Sequence, residues 1–167
     1  AEHFTAYALE QPYVKRAVAV DQFDHDGGNS PGDDDGFLTV YVYGAGAALT
    51  ADQKDGLEQA MQAQCASILT MTVEHATPVS VNVTAAITKA TGYDTDELEA
   101  AIEDALASVW SWQTSGFGAD VEPLDVQAVI EAVPGVDSVT SLTLPSTTAA
   151  VAFDEFAVLG TVALTIT

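Results

Sequence analysis

Apolar positions recur along the chain with two periods, and the periods place the elements. Phe4, Tyr7 and Ala8 share one face of a helix that Pro12 closes. Val14 to Val20 reads as a strand. The segment 21–36, DQFDHDGGNSPGDDDG, has the Gly, Asp, Asn and Pro content of a loop and no core-forming pattern. FLTVYVYG, 37–44, has the β-branched and aromatic content of a strand. Thr50 then caps a helix, with Gln53 placed three residues on as in a capping box. Leu57, Met61, Cys65 and Ile68 line one face of it. Residues 70–76 alternate as a strand, Pro78 interrupts, and 79–87, VSVNVTAAI, resumes. Asp94 and Glu97 open a second helix. Its stripe is Leu98, Ile102, Ala105, Leu106 and Val109, with Glu99, Glu103, Asp104 and Ser108 opposite. Residues 117–123 read as a loop with a short edge strand. A short helix from Asp125 turns Val126, Val129, Ile130 and Val133 inward and stops at Pro134-Gly135. Strands at 138–144 and 157–167 end the chain.

One stretch of this pattern echoes another. Displaced by 122 residues, Phe4, Tyr7 and Ala8 fall on Val126, Val129 and Ile130. Pro12 falls on Pro134, and Val14 on Val136. Helix, Pro, turn, strand, loop and strand recur in that order, which reads as an αββ unit used twice. The fold class expected is α+β: two small α/β sandwich modules, ferredoxin-like, each a sheet with helices on one face. The first module is 1–77, ordered αββαβ, and the second 78–167, ordered βα-αββ. Leu98, Ile102, Leu106 and Ile130 are expected in the core. Val14 and Val136 are expected to drop into it where each helix turns into its strand.

Charge changes the picture more than composition does. Asp and Glu number 25 against four Lys and Arg, a net charge of −21 over 167 residues. Such a surface repels nucleic acid and anionic membrane, so neither is an expected partner. The acids are spread along the chain rather than gathered in a patch. That suits life in concentrated salt, where screening over a few ångströms removes self-repulsion, better than attraction to a basic partner. No apolar run reaches the roughly 20 residues that span a bilayer, and no signal peptide shows. The chain opens without Met and reads as a piece of something longer. The lone cysteine, Cys65, excludes an internal disulfide and reads as a small buried hydrophobe.

Candidate chemistry is thin. GAGAAL, 44–49, follows a strand and precedes a helix, but Leu49 stands where a dinucleotide fingerprint needs its third glycine. DHDGGNSPGDDDG, 24–36, has the composition of a calcium loop, yet Gly28 replaces a ligand and no Glu closes it. Asp33, Asp34 and Asp35 remain as a candidate cation loop, against the plainer reading of a solvated hairpin. His3, His25 and His75 lack zinc spacing. Glu97, Glu99 and Glu103 lie on a polar helix face, with no apolar site to tune them as acids. No cofactor is expected. Trp110 falls on the flank of the long helix's stripe and Trp112 nearer its centre, so Trp110, with Phe117, is the candidate interface. The plainer alternative is that both tryptophans cover the core edge.

These residues, taken in order, resemble the C-terminal part of the baseplate J-like proteins of contractile phage tails and related injection machines. The family's F-x-x-x-A-x-x-x-P-x-V-x-R-A is similar to Phe4, Ala8, Pro12, Val14, Arg16 and Ala17. The strand before an acidic-capped helix, 50–69, follows, then V-x-V-x-V at Val79, Val81 and Val83. G-Y-D stands at Gly92-Tyr93-Asp94, F-G at Phe117-Gly118, V-P-G-V at 133–136, and E-x-x-x-L-G-x-V at Glu155, Leu159, Gly160 and Val162. Tyr13, where the family often has Gly, and the acidic loop 21–36 depart from it. The resemblance implies a structural wedge component of a tail baseplate, not an enzyme. It would be joined to other baseplate subunits and to copies of itself in a ring, and assembled in the cytoplasm of its host. With the acidity, it implies a virus or tail-like particle of a halophilic host. The competing reading is an acidic binding module, such as an adhesin or an inhibitor of a basic partner.

Salt adaptation has a direct test. Raising KCl from about 0.1 to about 2 M shortens the screening length from about 10 Å to about 3 Å or less. The melting temperature is expected to rise. An unchanged or lower value at high salt removes the salt-adaptation reading.

Overall fold

The computed structural model describes residues 1–24, 27, 30–33, 35–65 and 69–167. The sequence expectations at His25, Asp26, Gly28, Asp34 and Ile68 fall outside them. The fold is α+β and divides into two compact units, Ala1–Thr77 and Pro78–Thr167.

The first unit runs α1 (Glu2–Glu10), β1 (Arg16–Asp21), β2 (Phe37–Tyr43), α2 (Ala51–Gln62) and β3 (Thr70–His75). β2 is central. β1 pairs with it antiparallel from Arg16↔Tyr43 to Asp21↔Leu38, and β3 pairs parallel from Phe37↔Thr70 to Val42↔His75. α1 packs on β1 and α2 on β3. The core takes Leu38, Val40 and Val42 from β2, Met71 and Val73 from β3, Leu57 and Met61 from α2, and Ala8 and Val14. Thr39, Tyr41 and Tyr43 alternate onto the other face of β2 and are buried too. The Thr39 hydroxyl donates to the Phe23 carbonyl at 2.8 Å. The Thr50 capping box forms in both directions. α2 stops at Gln62, short of Cys65, whose thiol donates to the Met61 carbonyl at 3.4 Å. Partial burial pushes that thiol above its usual pKa.

The second unit runs β4 (Thr77–Lys89), α3 (Thr95–Val109), α4 (Pro123–Glu131), β5 (Val136–Leu144) and β6 (Glu155–Ile166). β4 begins one residue before Pro78 rather than after it. Proline is tolerated at a strand's start, where its missing N–H breaks no ladder. α4 likewise begins at Pro123, where proline suits a first helical turn. Val81, Val83, Ala85 and Ile87 of β4 meet Leu98, Ile102 and Leu106 of α3 and Val126 and Ile130 of α4. α4 packs on β5 and α3 on β6.

The sheet order here is β5-β4-β6. β5 lies antiparallel to β4, from Thr84↔Leu144 to Lys89↔Val136. On the other side, Lys89 N–H donates to Thr167 O and Thr167 N–H to Ile87 O, both at 2.9 Å, the spacing of a parallel ladder. The two units therefore share a layout: an antiparallel edge strand under one helix, a central strand, and a parallel edge strand under another helix. Their chain order differs. α4-β5 stands where α1-β1 stands, but the counterpart of β2 is β4, not β6. The expected repeat of an αββ unit holds for its helix, turn and first strand, and fails at its second. β5 and β6 are not neighbours.

Val14, at 2% exposure, sits inside the first core. Val136 is half-buried against the second, because it opens an edge strand rather than preceding one. Val14→Asp is expected to lower stability by several kcal/mol, burying an unpaired carboxylate. Val136→Asp should cost less than half as much, and exposed Glu103→Gln almost nothing. Urea midpoints of the three variants check that ranking, and equal losses at Val14 and Val136 would contradict it.

Candidate assembly surfaces and the contacts that shape them

The second unit is tied together by glycine-bearing turns. Gly135, at φ +103°, carries the chain from α4 into β5, and its carbonyl accepts Ala90 N–H at 2.9 Å. The Tyr93 ring lies over it, so that any Cβ there would run into the ring. Next to Tyr93, the Asp94 carboxylate accepts Asp96 N–H at 2.9 Å and Glu97 N–H at 3.3 Å, capping α3. The Lys89 ammonium donates to Thr95 Oγ1 at 2.6 Å. The Gly92-Tyr93-Asp94 turn and the Pro134-Gly135 turn are thus one structure.

A second contact orders the start of β6. Gly118, at φ +61°, donates its N–H to Glu155 O at 3.0 Å. The Phe117 ring stands edge-on to Phe156 at 5.8 Å, and the Glu155 carboxylate accepts Ala152 N–H at 2.9 Å. Leu159 N–H donates to Trp110 O at 2.8 Å, and Ser115 Oγ reaches Ala157 O. The segment 110–118 therefore lies along the outer edge of the first half of β6.

Gly160 then changes the parity of the strand. Ala157 and Leu159 face the core before it, and Val162, Leu164 and Ile166 after it. Such a switch requires a bulge. Thr161 N–H turns inward and is accepted by the side chain of Asn82 at 2.8 Å. A Cβ on Gly160 would occupy the place of Asn82 Oδ1. The glycine of the late motif is there to admit this side chain.

The unit's two faces differ in charge. α3 and α4 carry Asp96, Glu97, Glu99, Glu103, Asp104, Asp125 and Glu131, and neither Lys nor Arg. The sheet face turned away from them shows Asn82, Thr84, Ala86 and Thr88 of β4, Ser138, Ser141 and Leu144 of β5, and Thr161, Ala163 and Thr165 of β6. None is charged. An open apolar groove of about 410 Å³ runs between α3 and α4, past Ala101, Ala105, Val109, Val129 and Val133.

The edges of the first sheet are handled differently. On β3, the N–H of Met71 is accepted by Gln62 Oε1 and that of Val73 by Glu58 Oε2, both at 2.9 Å. Lys54 pairs with Glu74 at 3.1 Å alongside. Side chains of α2 thus close this edge.

The sequence's site candidates separate accordingly. Trp110 is 8% exposed and belongs to the core, while Trp112 is half-buried. The expected contact surface at Trp110 is corrected. α3 ends at Val109, so the helical phase that put Trp110 on a flank no longer applies to it. Phe117 is half-buried against Phe156. Leu98, Ile102, Leu106 and Ile130 lie in the core. Asp33 and Asp35 are exposed and serve their own loop. Asp33 accepts Ser30 N–H at 3.3 Å and Asp35 accepts Gln22 Nε2 at 2.7 Å. Asp34 lies outside the described residues. Among the described residues no group of three His, Cys, Asp or Glu side chains is placed to hold a metal ion. The guarded edge of β3 and the Asn82 plug were not anticipated. Gly160 was the one signal for the second, since a glycine inside a strand marks a bulge or a close approach.

The family described as "Baseplate J-like protein C-terminal domain" matches residues 81–165. No curated protein is similar in sequence at a significant level. Among solved structures, a chain of the cryo-EM structure of the anti-feeding prophage (AFP) baseplate, 6-fold symmetrised, has the same fold with a TM-score of 0.65 at 16% identity. The match covers 94% of the present chain and 36% of that one.

Two glycines give opposite expectations. Gly135→Ala should lose about 1–2 kcal/mol to the left-handed backbone, with the displaced Tyr93 ring in addition. Gly56→Ala, inside α2 with open space around it, should gain about 0.5–1 kcal/mol from helix propensity. Thermal melts of the two variants decide it, and a neutral Gly135→Ala would mean that the turn does not need its glycine.

Proposed function

The chain belongs to the baseplate J-like family, and on that premise we propose that it is a structural subunit of a phage or phage-like tail baseplate. The observation that carries the reading is the family match over 81–165, whose motifs in this chain are spent on architecture. Gly92-Tyr93-Asp94 packs on Pro134-Gly135, Phe117-Gly118 on Glu155-Phe156, and Gly160 admits Asn82. Each of these contacts joins one turn or strand of the unit to another. The role is non-enzymatic and requires no cofactor. Its place is the wedge of the baseplate, with other baseplate subunits and further copies of the chain as partners in a ring. The 6-fold symmetrised baseplate of the anti-feeding prophage, which holds the chain of similar fold, supports the ring. Because the match spans about a third of that chain, further parts of such a protein would supply the remaining contacts.

The net charge of −21 suits a particle assembled in the cytoplasm of a halophilic host. There, screening lets acidic subunits approach one another. Nucleic acid and anionic membrane are poor partners for such a surface. The two units serve as modules that space and present docking faces, with their boundary between Thr77 and Pro78.

The test is cryo-electron microscopy of purified tail particles carrying a tag on this protein. Density and label at the tail tip, in a ring, are expected. A chain absent from the particles, or found in the sheath or capsid, would refute the proposal.

A further inference from the structure

The outer edge of β6 beyond Gly160 is a strand-pairing surface, and we infer that its occupant is the same segment of a second copy of this chain. The argument begins with which backbone groups point outward. Thr167 exchanges both its hydrogen bonds with β4, and Thr161 N–H also turns toward β4. Along a strand these directions alternate, so the N–H and C=O of Val162, Leu164 and Ile166 point away from the sheet. β6 is the last strand on that side, and outside the sheet ladder none of the turn, loop and cap hydrogen bonds of the described residues reaches these three. The segment 110–118 covers the edge only as far as Leu159.

The contrast with β3 makes this edge unusual. β3 is the parallel edge strand of the first unit, and its outward amides are taken by Gln62 and Glu58. Soluble sheets normally guard an edge by such covers, by charge or by proline. From Phe156 to Thr167 there is no charged residue and no proline. In a chain of net charge −21, this edge and the neutral sheet face beside it are where a second acidic copy can approach without meeting carboxylates.

The segment is also complementary to itself. In an antiparallel pairing about a two-fold axis through Leu164, Leu164 of each copy faces the other and Val162 faces Ile166. Every outward amide and carbonyl of these residues then finds a partner. Val opposite Ile is a favourable β-branched cross-strand pair, and on the open face Ala163 meets Thr165 with no charge between them. The result is one continuous sheet across two copies, which is strand addition to an exposed edge. α3 lies over β6, so pairing brings Glu99, Glu103 and Asp104 of both copies to the same side of that sheet. The association must therefore tighten as salt rises, the reverse of an interface held by opposite charges. A pair joined in this way would enter a ring as one unit. The inference concerns this chain alone, and a monomer would overturn it while leaving the tail location untouched.

Sedimentation equilibrium of the 167-residue chain in about 0.15 M and about 2 M KCl, where the screening length falls from about 8 Å to below about 3 Å, reads the pairing directly. A mass of two copies of 17.3 kDa is expected in high salt, with weaker association in low salt. Ala163→Lys with Thr165→Lys faces like charges across the axis and should weaken the dimer at least about tenfold. It does so while lowering the overall negative charge. Ser141→Lys with Thr143→Lys, on the opposite edge strand, should leave the dimer unchanged. The amides of Val162, Leu164 and Ile166 should exchange slowly at high protein concentration and quickly on dilution, a readout that needs no variant. A monomer in 2 M KCl, a closed assembly of more than two copies, an edge variant that pairs as well as wild type, or amides that exchange fast at every concentration would each overturn the inference.

Discussion

The row Val81, Val83, Ala85 and Ile87 on the central strand of the second unit has to be covered. α3 and α4 cover it with Leu98, Ile102, Leu106, Val126 and Ile130. Each such side chain, once removed from water, contributes about 1.5–3 kcal/mol before chain entropy is subtracted. The remaining features follow from this burial. Two helices can sit over one face of three strands only if the turns that deliver them are tight, which is why Gly135 lies against Tyr93. Covering one face leaves the other face and both edges to be managed by other means. Leu106→Ala shows the scale involved: deleting most of one buried Leu costs about 2–5 kcal/mol in a packed core, a large part of a small domain's stability.

Much of this layout was legible in the residues. The heptad-like stripe of α3, the Thr50 cap and the alternation in β2 and β4 each depend on short-range periodicity, which survives without knowledge of neighbours. Boundaries were less legible where proline was involved. Pro78 reads as a break and Pro123 as the end of a loop, yet each sits within the first two residues of an element, where a missing N–H costs nothing. Trp110 was misplaced because helical phase was carried one residue past Val109, where the chain leaves the helix. The contacts Asn82–Thr161 and Glu58–Val73 join residues far apart in sequence. No local pattern announces them, because an exposed Asn or Glu reads the same whether it is solvated or bonded to a distant amide.

The echo between residues 4–14 and 126–136 has an instructive resolution. Helix, proline turn and edge strand are repeated in sequence and in place, as α1-β1 and α4-β5. The central strand and its following helix come after that element in the first unit and before it in the second. Both orders satisfy the same demands: one antiparallel edge, one parallel edge, and a helix over each. The sequence comparison, bound to chain order, matched β2 to β6. The fold, bound only by neighbours in space, equates β2 with β4. In this protein the stable object is an arrangement of packed elements, and more than one way of threading the chain through it is acceptable.

The acidic helices and the neutral sheet face make the second unit an electric dipole. Seven carboxylates lie on α3 and α4, while among the exposed residues of the three strands only Asp137 is acidic, so the negative charge is concentrated on one side of the unit. A body of this kind does not tumble indifferently near other acidic bodies. It experiences a torque that turns the helices outward and the sheet inward during the approach, before any contact is made. Orientation is thus selected at a distance by repulsion from the wrong side rather than by attraction to the right one.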